Sequence, residues 1–118
     1  MQISAHKKKS ELAGKKILVK VSHYEPWLGG TNCSNFVNGE CVSKMSNGER
    51  WQDYVDIAIA CPIELEFGTK IIIGDRTWIC MDRGGAIVYD GYAYWIDQLT
   101  ATPEYAYGQI VEAILVEP

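Results

Sequence analysis

The sequence predicts a mainly-β protein, a small barrel of short strands. Three observations carry this. Short apolar runs rich in β-branched residues recur at 17–21, 55–61, 69–73, 76–81, 93–99 and 111–116. Turn signals lie close between them, at Gly74-Asp75 and Asp90-Gly91. Only one short helical pattern competes with the strands, at 102–108. Short strands at close spacing belong to closed antiparallel architectures more than to layered ones.

The elements follow in order. Residues 1–15 are polar and lysine-rich and are expected to form a flexible tail, leaving 16–118 as a single domain. Ile17 to Val21 form the first strand, which runs into Ser22-His23-Tyr24. Residues 29–50 are rich in Gly, Asn and Ser and read as a long ordered loop. Loops of that length without regular structure are unusual and often functional. Trp51 to Tyr54 reads as a helical turn. Residues 55–61 predict a buried strand, ended by Pro62, which lacks a ladder donor. Glu64, Glu66 and Gly68 turn the chain into the strand at 69–73, and Gly74-Asp75 returns it as 76–81. In Thr102-Pro103-Glu104, proline stands at the first position of a short helix that Gly108 closes. The last strand covers 111–116.

The chain has 118 residues, which suits one domain, and 47% are hydrophobic, enough for a compact core. No run of about 18 apolar residues occurs, so no membrane span is expected. The net charge of −4 argues against a nucleic-acid partner, which needs a basic face. The dense basic cluster, Lys7-Lys8-Lys9 with Lys15-Lys16, reads as a solvated tail; contact with an anionic polymer is its functional alternative. The N-terminus is charged without an apolar stretch, so no secretory signal is visible. A removed signal, export within a virus particle and a cytoplasmic life all fit.

Cysteines stand at 33, 41, 61 and 80. Three pairings into two disulfides are possible. The most economical joins Cys33 to Cys41, stapling the polar loop, and Cys61 to Cys80, tying neighbouring strands. Reduced, buried thiols are the alternative in a reducing compartment. No C-x-x-C pair is present, so no zinc site is expected, and no other metal or cofactor is predicted.

The second half carries a series of motifs: Ala60-Cys61-Pro62, Glu66-Phe67-Gly68-Thr69-Lys70, Asp82-Arg83-Gly84-Gly85-Ala86-Ile87, Trp95-Ile96-Asp97 and Tyr105-Ala106-Tyr107-Gly108. In order and spacing they resemble the three-aspartate (3D) domain, the double-psi β-barrel of MltA-type lytic transglycosylases and of bacterial stationary-phase and resuscitation proteins. The resemblance covers residues 55–118, and the strand ending at Tyr24 is similar to that family's opening "T-x-Y" strand. Asp82-Arg83-Gly84 is closer to the "D-R-G" of RlpA-like proteins, barwin domains and expansins in the wider superfamily. Cys61 stands where the family has its first aspartate, so two of the three aspartates remain.

The resemblance implies a six-stranded double-psi β-barrel with one or two short helices and a long disulfide-stapled loop. It also implies a lytic transglycosylase acting on peptidoglycan glycan strands. Such an enzyme cleaves the β-1,4 bond between N-acetylmuramic acid and N-acetylglucosamine without water. One acid protonates the leaving oxygen, the muramoyl 6-hydroxyl attacks the anomeric carbon, and a 1,6-anhydro sugar forms. An ordinary glycosidase instead needs two carboxyls flanking the bond.

Asp97 is the candidate acid and base. It lies between Ile96 and Leu99, where an apolar setting raises a carboxyl pKa, and Trp95 beside it offers a face for a sugar ring. Asp82 is the second candidate, on the same strand face as Cys80 and Trp78 if the strand continues, positioning the substrate or stabilising positive charge. Lys70 is assigned to a sugar or N-acetyl oxygen, and Arg83 to a stem-peptide carboxylate or to Asp82. Gly84 and Gly85 allow a sharp turn or close approach of a ligand, and Tyr24 is a further binding residue. Trp27, Trp51, Trp78 and Trp95 line a glycan groove or fill core and interface positions. His23 is a second acid–base candidate and Asp56 a third acid. The structural alternatives are a turn cap for Asp82 and a buried partner of Arg83 for Asp97. With them goes a different function, a non-catalytic module that binds glycan or builds a phage, virion or cell-wall assembly. The expected location is extracytoplasmic or virion-associated, with the cytoplasm as alternative.

Overall fold

In the computed structural model, which describes residues 14–118, strand β1 (Lys15–Tyr24) sets the pattern of the fold. Val19 and Val21 are fully buried while Lys16 and Lys20 are not, so alternate residues face in and out. The chain continues through β2 (Phe36–Val37), β3 (Glu40–Cys41), β4 (Ala58–Ala60), β5 (Lys70–Ile73), β6 (Arg76–Asp82), β7 (Tyr94–Leu99) and β8 (Gln109–Val116). Six of these close into a barrel in the order β1-β7-β4-β6-β5-β8, with β8 pairing back onto β1. Closure leaves no open sheet edge in the barrel. The pairs β1–β7 and β4–β6 are parallel, and the other four are antiparallel. The short β2–β3 hairpin stands apart from the barrel.

Inward-facing Val19, Val21, Ile59, Ile71, Trp78 and Ile96 build the interior together with the Cys61–Cys80 pair. Each fully buried aliphatic side chain contributes about 1.5–3 kcal/mol. A second apolar cluster lies on the outside of the wall. Ala58 and Leu99, whose inward neighbours are Ile59 and Gln98, pack with Met81 against Met45 of the long loop and against Trp51 and Tyr54 just after it. The loop is therefore folded onto the outer face of β4, β6 and β7. Both expected disulfides are formed, Cys33–Cys41 within this loop and Cys61–Cys80 between the end of β4 and β6.

Several boundaries differ from expectation. Lys15 and Lys16 belong to β1, paired with Leu115 and Ile114, rather than to a tail. Residues 1–13 of the predicted tail, with Lys7, Lys8 and Lys9, lie outside the described residues. The strand expected over 55–61 is shortened to Ala58–Ala60. Ile57 and Ala58 donate their amides to the Tyr54 carbonyl in a turn, and Asp56 takes a positive φ of 67°. The helix expected over 102–108 does not form. So short a segment cannot offset helix nucleation, and its end is held by tertiary bonds, the Gly108 amide donating to the Val21 carbonyl. Helical structure among the described residues is limited to single 3-10 turns, at Pro26–Leu28, Gly30–Asn32 and Trp51–Asp53. No helix among them is long and apolar enough to cross a membrane.

Candidate active site

Four adjacent strands place Ser22, Asp97, Ala60 and Asp82 at one level. Ser22 is opposite Asp97, Asp97 opposite Ala60, and Ala60 opposite Asp82. Directly opposed residues share a face of the sheet. Val21, Ile96 and Ile59 next to them point into the core, so this row faces outward, toward the long loop. The aspartates stand two strands apart, about 10 Å between backbones at normal strand spacing. The strand between them presents only the methyl of Ala60, and the Tyr24 side chain reaches across from β1 to Asp82.

A bulge brings Asp82 into the row. Cys80 is opposite Ile59, but Asp82, not Met81, is opposite Ala60. The extra residue shifts the alternation. The expectation that Asp82 shares a face with Cys80 and Trp78 is thereby corrected. Those two side chains are in the core, whereas Asp82 reaches Tyr24 and the loop.

Both carboxyls open on one cleft of about 240 Å³, walled on one side by the barrel and on the other by the loop. Tyr24, Lys44, Trp51 and Gly84 are among its lining residues. The carboxyls differ in their surroundings. Asp82 accepts four hydrogen bonds: the Ser46 amide and hydroxyl and the Arg83 amide donate to Oδ1, and the Tyr24 hydroxyl donates to Oδ2. Asp97 accepts one, from the Ser22 hydroxyl at 2.8 Å on Oδ1. Among the described residues no ion pair involves either aspartate. Burial pushes the Asp97 pKa above the ordinary carboxylate value; the Ser22 hydrogen bond and nearby His23 offset part of this, and the charge of Asp82 adds to it. Tyr24 is also raised far above an ordinary phenol, first by burial and then by Asp82, so it stays a donor.

The other predicted residues divide. Tyr24 and Gly84 reach the cleft. A Cβ on Gly84 would stand 2.8 Å from Ile87 Cγ1, so a larger residue there would have to displace the Ile87 side chain, while Gly85 faces open space. Arg83 borders the cleft, but its guanidinium is turned onto the barrel end. It donates to the Cys61 and Leu65 carbonyls at 3.2 and 2.8 Å and lies over the Phe67 ring. It is neither the partner of Asp97 nor ion-paired with Asp82. Lys70 is exposed on β5 and does not line the cleft. Trp95 does not line it either; its indole donates to Ser22 Oγ at 2.8 Å.

Trp51 is the tryptophan that lines the cleft, with Trp27 against it at 5.8 Å, whereas Trp78 is buried in the core. His23 pairs with Glu25 at 3.6 Å. Asp56 is exposed in the turn before β4, facing Thr100 and Arg76 rather than the cleft. Cys61, at the position of the absent aspartate, points into the core and is bonded to Cys80.

Ser22 and Ser46 were not anticipated. Ser22 was readable as lying on the Tyr24 face of β1 by alternation. Ser46 carries no local signal, because only the folding of the loop onto the barrel brings it to Asp82. No group of three metal-ligating side chains occurs among the described residues.

No protein-family model, curated protein or solved structure matches this chain. Function is therefore read from the chemistry of the cleft, which a barrel by itself does not specify.

Proposed function

We propose that the protein is a peptidoglycan-active enzyme of the lytic transglycosylase kind, with Asp97 as its general acid and base. The observation that carries this is the pair of carboxyls sharing one cleft, neither in an ion pair among the described residues and one desolvated. A raised pKa keeps a carboxyl protonated near the pH at which it must deliver its proton. The two parallel strand pairs in the closed barrel support a double-psi topology.

Asp97 gives its proton to the glycosidic oxygen as the bond from that oxygen to the anomeric carbon breaks. The resulting carboxylate then takes the proton of the muramoyl 6-hydroxyl, whose oxygen bonds to the anomeric carbon. The acid is regenerated and no water is consumed. Asp82, held by four donors, supplies negative charge across the cleft as the sugar becomes cationic. Trp51 and Tyr24 offer apolar faces to a sugar ring. Two disulfides suit an oxidising, extracytoplasmic or virion setting.

A second reading has its own support. Asp82 accepts from Tyr24, Ser46 and Arg83 and so ties the long loop to the barrel as a brace, which suits a glycan-binding or assembly module without turnover. Digestion of purified sacculi, with mass analysis of the products, separates the two. Anhydro-muropeptides from the parent and none from Asp97→Asn are expected. Retention on peptidoglycan with no soluble product would replace the enzyme by the binding module. Products with ordinary reducing ends would replace the transglycosylase by a hydrolase.

A further inference from the structure

Trp95, Ser22 and Asp97 form a chain of hydrogen bonds with only one good direction. The indole Nε1–H lies 2.8 Å from Ser22 Oγ, and Ser22 Oγ lies 2.8 Å from Asp97 Oδ1. Indole nitrogen is a donor only, so it occupies a lone pair of the serine oxygen. The single serine proton then has two acceptors, Asp97 Oδ1 at 2.8 Å or the Ile96 carbonyl at 3.5 Å. The shorter wins. Ser22 is only 4% exposed, so water does not compete for these sites. The indole is itself held, with Lys20 Nζ 4.8 Å from its ring centre and the Tyr107 ring nearly perpendicular to it at a centroid distance of 6.3 Å.

We infer that Trp95 and Ser22 are positioning residues that hold Asp97 Oδ1 as an acceptor and so place the Asp97 proton on Oδ2. That oxygen has no hydrogen-bond partner among the described residues and belongs to a side chain that lines the cleft. The relay rests on the reading of Asp97 as the acid, and it explains how a half-buried carboxyl presents its proton to a ligand rather than to its own strand neighbour. Indole donation also polarises the serine hydroxyl, strengthening the bond to the ionised carboxylate. Ser22 thus limits the rise in pKa that burial imposes. The other charged and titratable groups around Asp97 are His23 and Tyr24 on β1, Asp82 at the end of β6, and Lys44 and Arg83 on the cleft wall. None of them is bonded to either oxygen of Asp97 among the described residues.

The test is a pH titration of the folded protein by NMR, following the Asp97 carboxyl carbon and the Trp95 indole N–H together. The indole signal is expected to shift with the Asp97 midpoint. In Ser22→Ala the indole step should vanish and the Asp97 midpoint should rise by about one pH unit, a roughly tenfold tighter hold on the proton. Ser22→Thr should restore both. Trp95→Phe should raise the midpoint in the same direction by less, and it serves if Ser22→Ala does not fold. An indole signal that stays flat, or follows His23 instead, overturns the relay, as does an unchanged Asp97 midpoint in the folded variants. These signals do not depend on turnover. A parent that releases no anhydro-muropeptide but passes the titration loses the enzymatic reading and keeps the relay.

Discussion

The hydroxyl of Tyr24, the last residue of β1, donates to Oδ2 of Asp82, the last residue of β6, at 2.9 Å. The two strands are not neighbours; β7 and β4 lie between them in the barrel. Both residues line the cleft, so the bond ties together two separate parts of its barrel wall. Tyr24→Phe keeps the ring and removes the donor. Losing a hydrogen bond to a charged group should cost about 1.5–3 kcal/mol, toward the lower end because the cleft admits water. Urea unfolding of the variant measures this; a midpoint equal to the parent's would mean that the bond contributes nothing.

Asp82 also holds the loop to the barrel through the Ser46 amide and hydroxyl. Asp82→Ala should therefore release residues around Ser46 while the barrel stays closed. Amide hydrogen exchange should speed up at Ser46 and Arg83, whose donors lose their acceptor, and stay slow in β1 and β8. Uniform acceleration across the barrel would show instead that Asp82 supports the whole fold.

The raised pKa of Asp97 makes stability depend on pH with a definite sign. The folded protein holds this proton more tightly than the unfolded chain, whose aspartate titrates near about 3.9. The stabilisation is fully present below that value and is lost as pH rises through the higher folded value. Asp97→Asn cannot ionise and lacks this term. The stability of the parent minus that of Asp97→Asn should fall with rising pH through this window and then level off. Unfolding midpoints measured in urea from about pH 3 to pH 8 follow it. A difference that rises with pH would mean that Asp97 is stabilised as the anion.

The disulfides close loops of different length, with sequence separations of 8 and 19 residues. Loop-closure entropy makes the first worth about 2.5 kcal/mol and the second about 3 kcal/mol. Replacing Cys61 and Cys80 by serine should cost more than that difference suggests, because both sites are fully buried and the new hydroxyls enter the core. Replacing Cys33 and Cys41 should chiefly loosen the loop and widen the cleft. Thermal unfolding of the two double variants ranks them; the reverse order would place the loop, not the core, at the centre of stability.

Alternation and turn chemistry made most of the barrel readable. Val19 and Val21, Ile71 and Ile73, and Ile96 and Gln98 are spaced by two along their runs and are buried as that period requires. Gly74-Asp75 turns β5 into β6 because tight turns have strong local residue preferences. Reading failed where a local pattern met a competing tertiary bond. The 102–108 segment has helix signals at both ends, but the Gly108 amide is claimed by Val21. The apolar run at 55–61 looks like one long strand, but it turns near its start at Asp56, whose amide donates to the Leu99 carbonyl.

The residue order by itself pointed to most of the barrel strands and their buried positions, and offered the two cysteine pairs that formed as the most economical of three pairings. These follow from periodicity and from sequence distance, which act along the chain. Only the tertiary structure decided that Asp82 and Asp97 open on one cleft, that a bulge at Met81 turns Asp82 outward, and that Arg83 is spent on the barrel end. It alone joined Trp95 and Ser22 to Asp97. Each of these depends on which strands become neighbours and in what register, and pairing between distant segments is set by closure of the whole barrel rather than by any local pattern of residues.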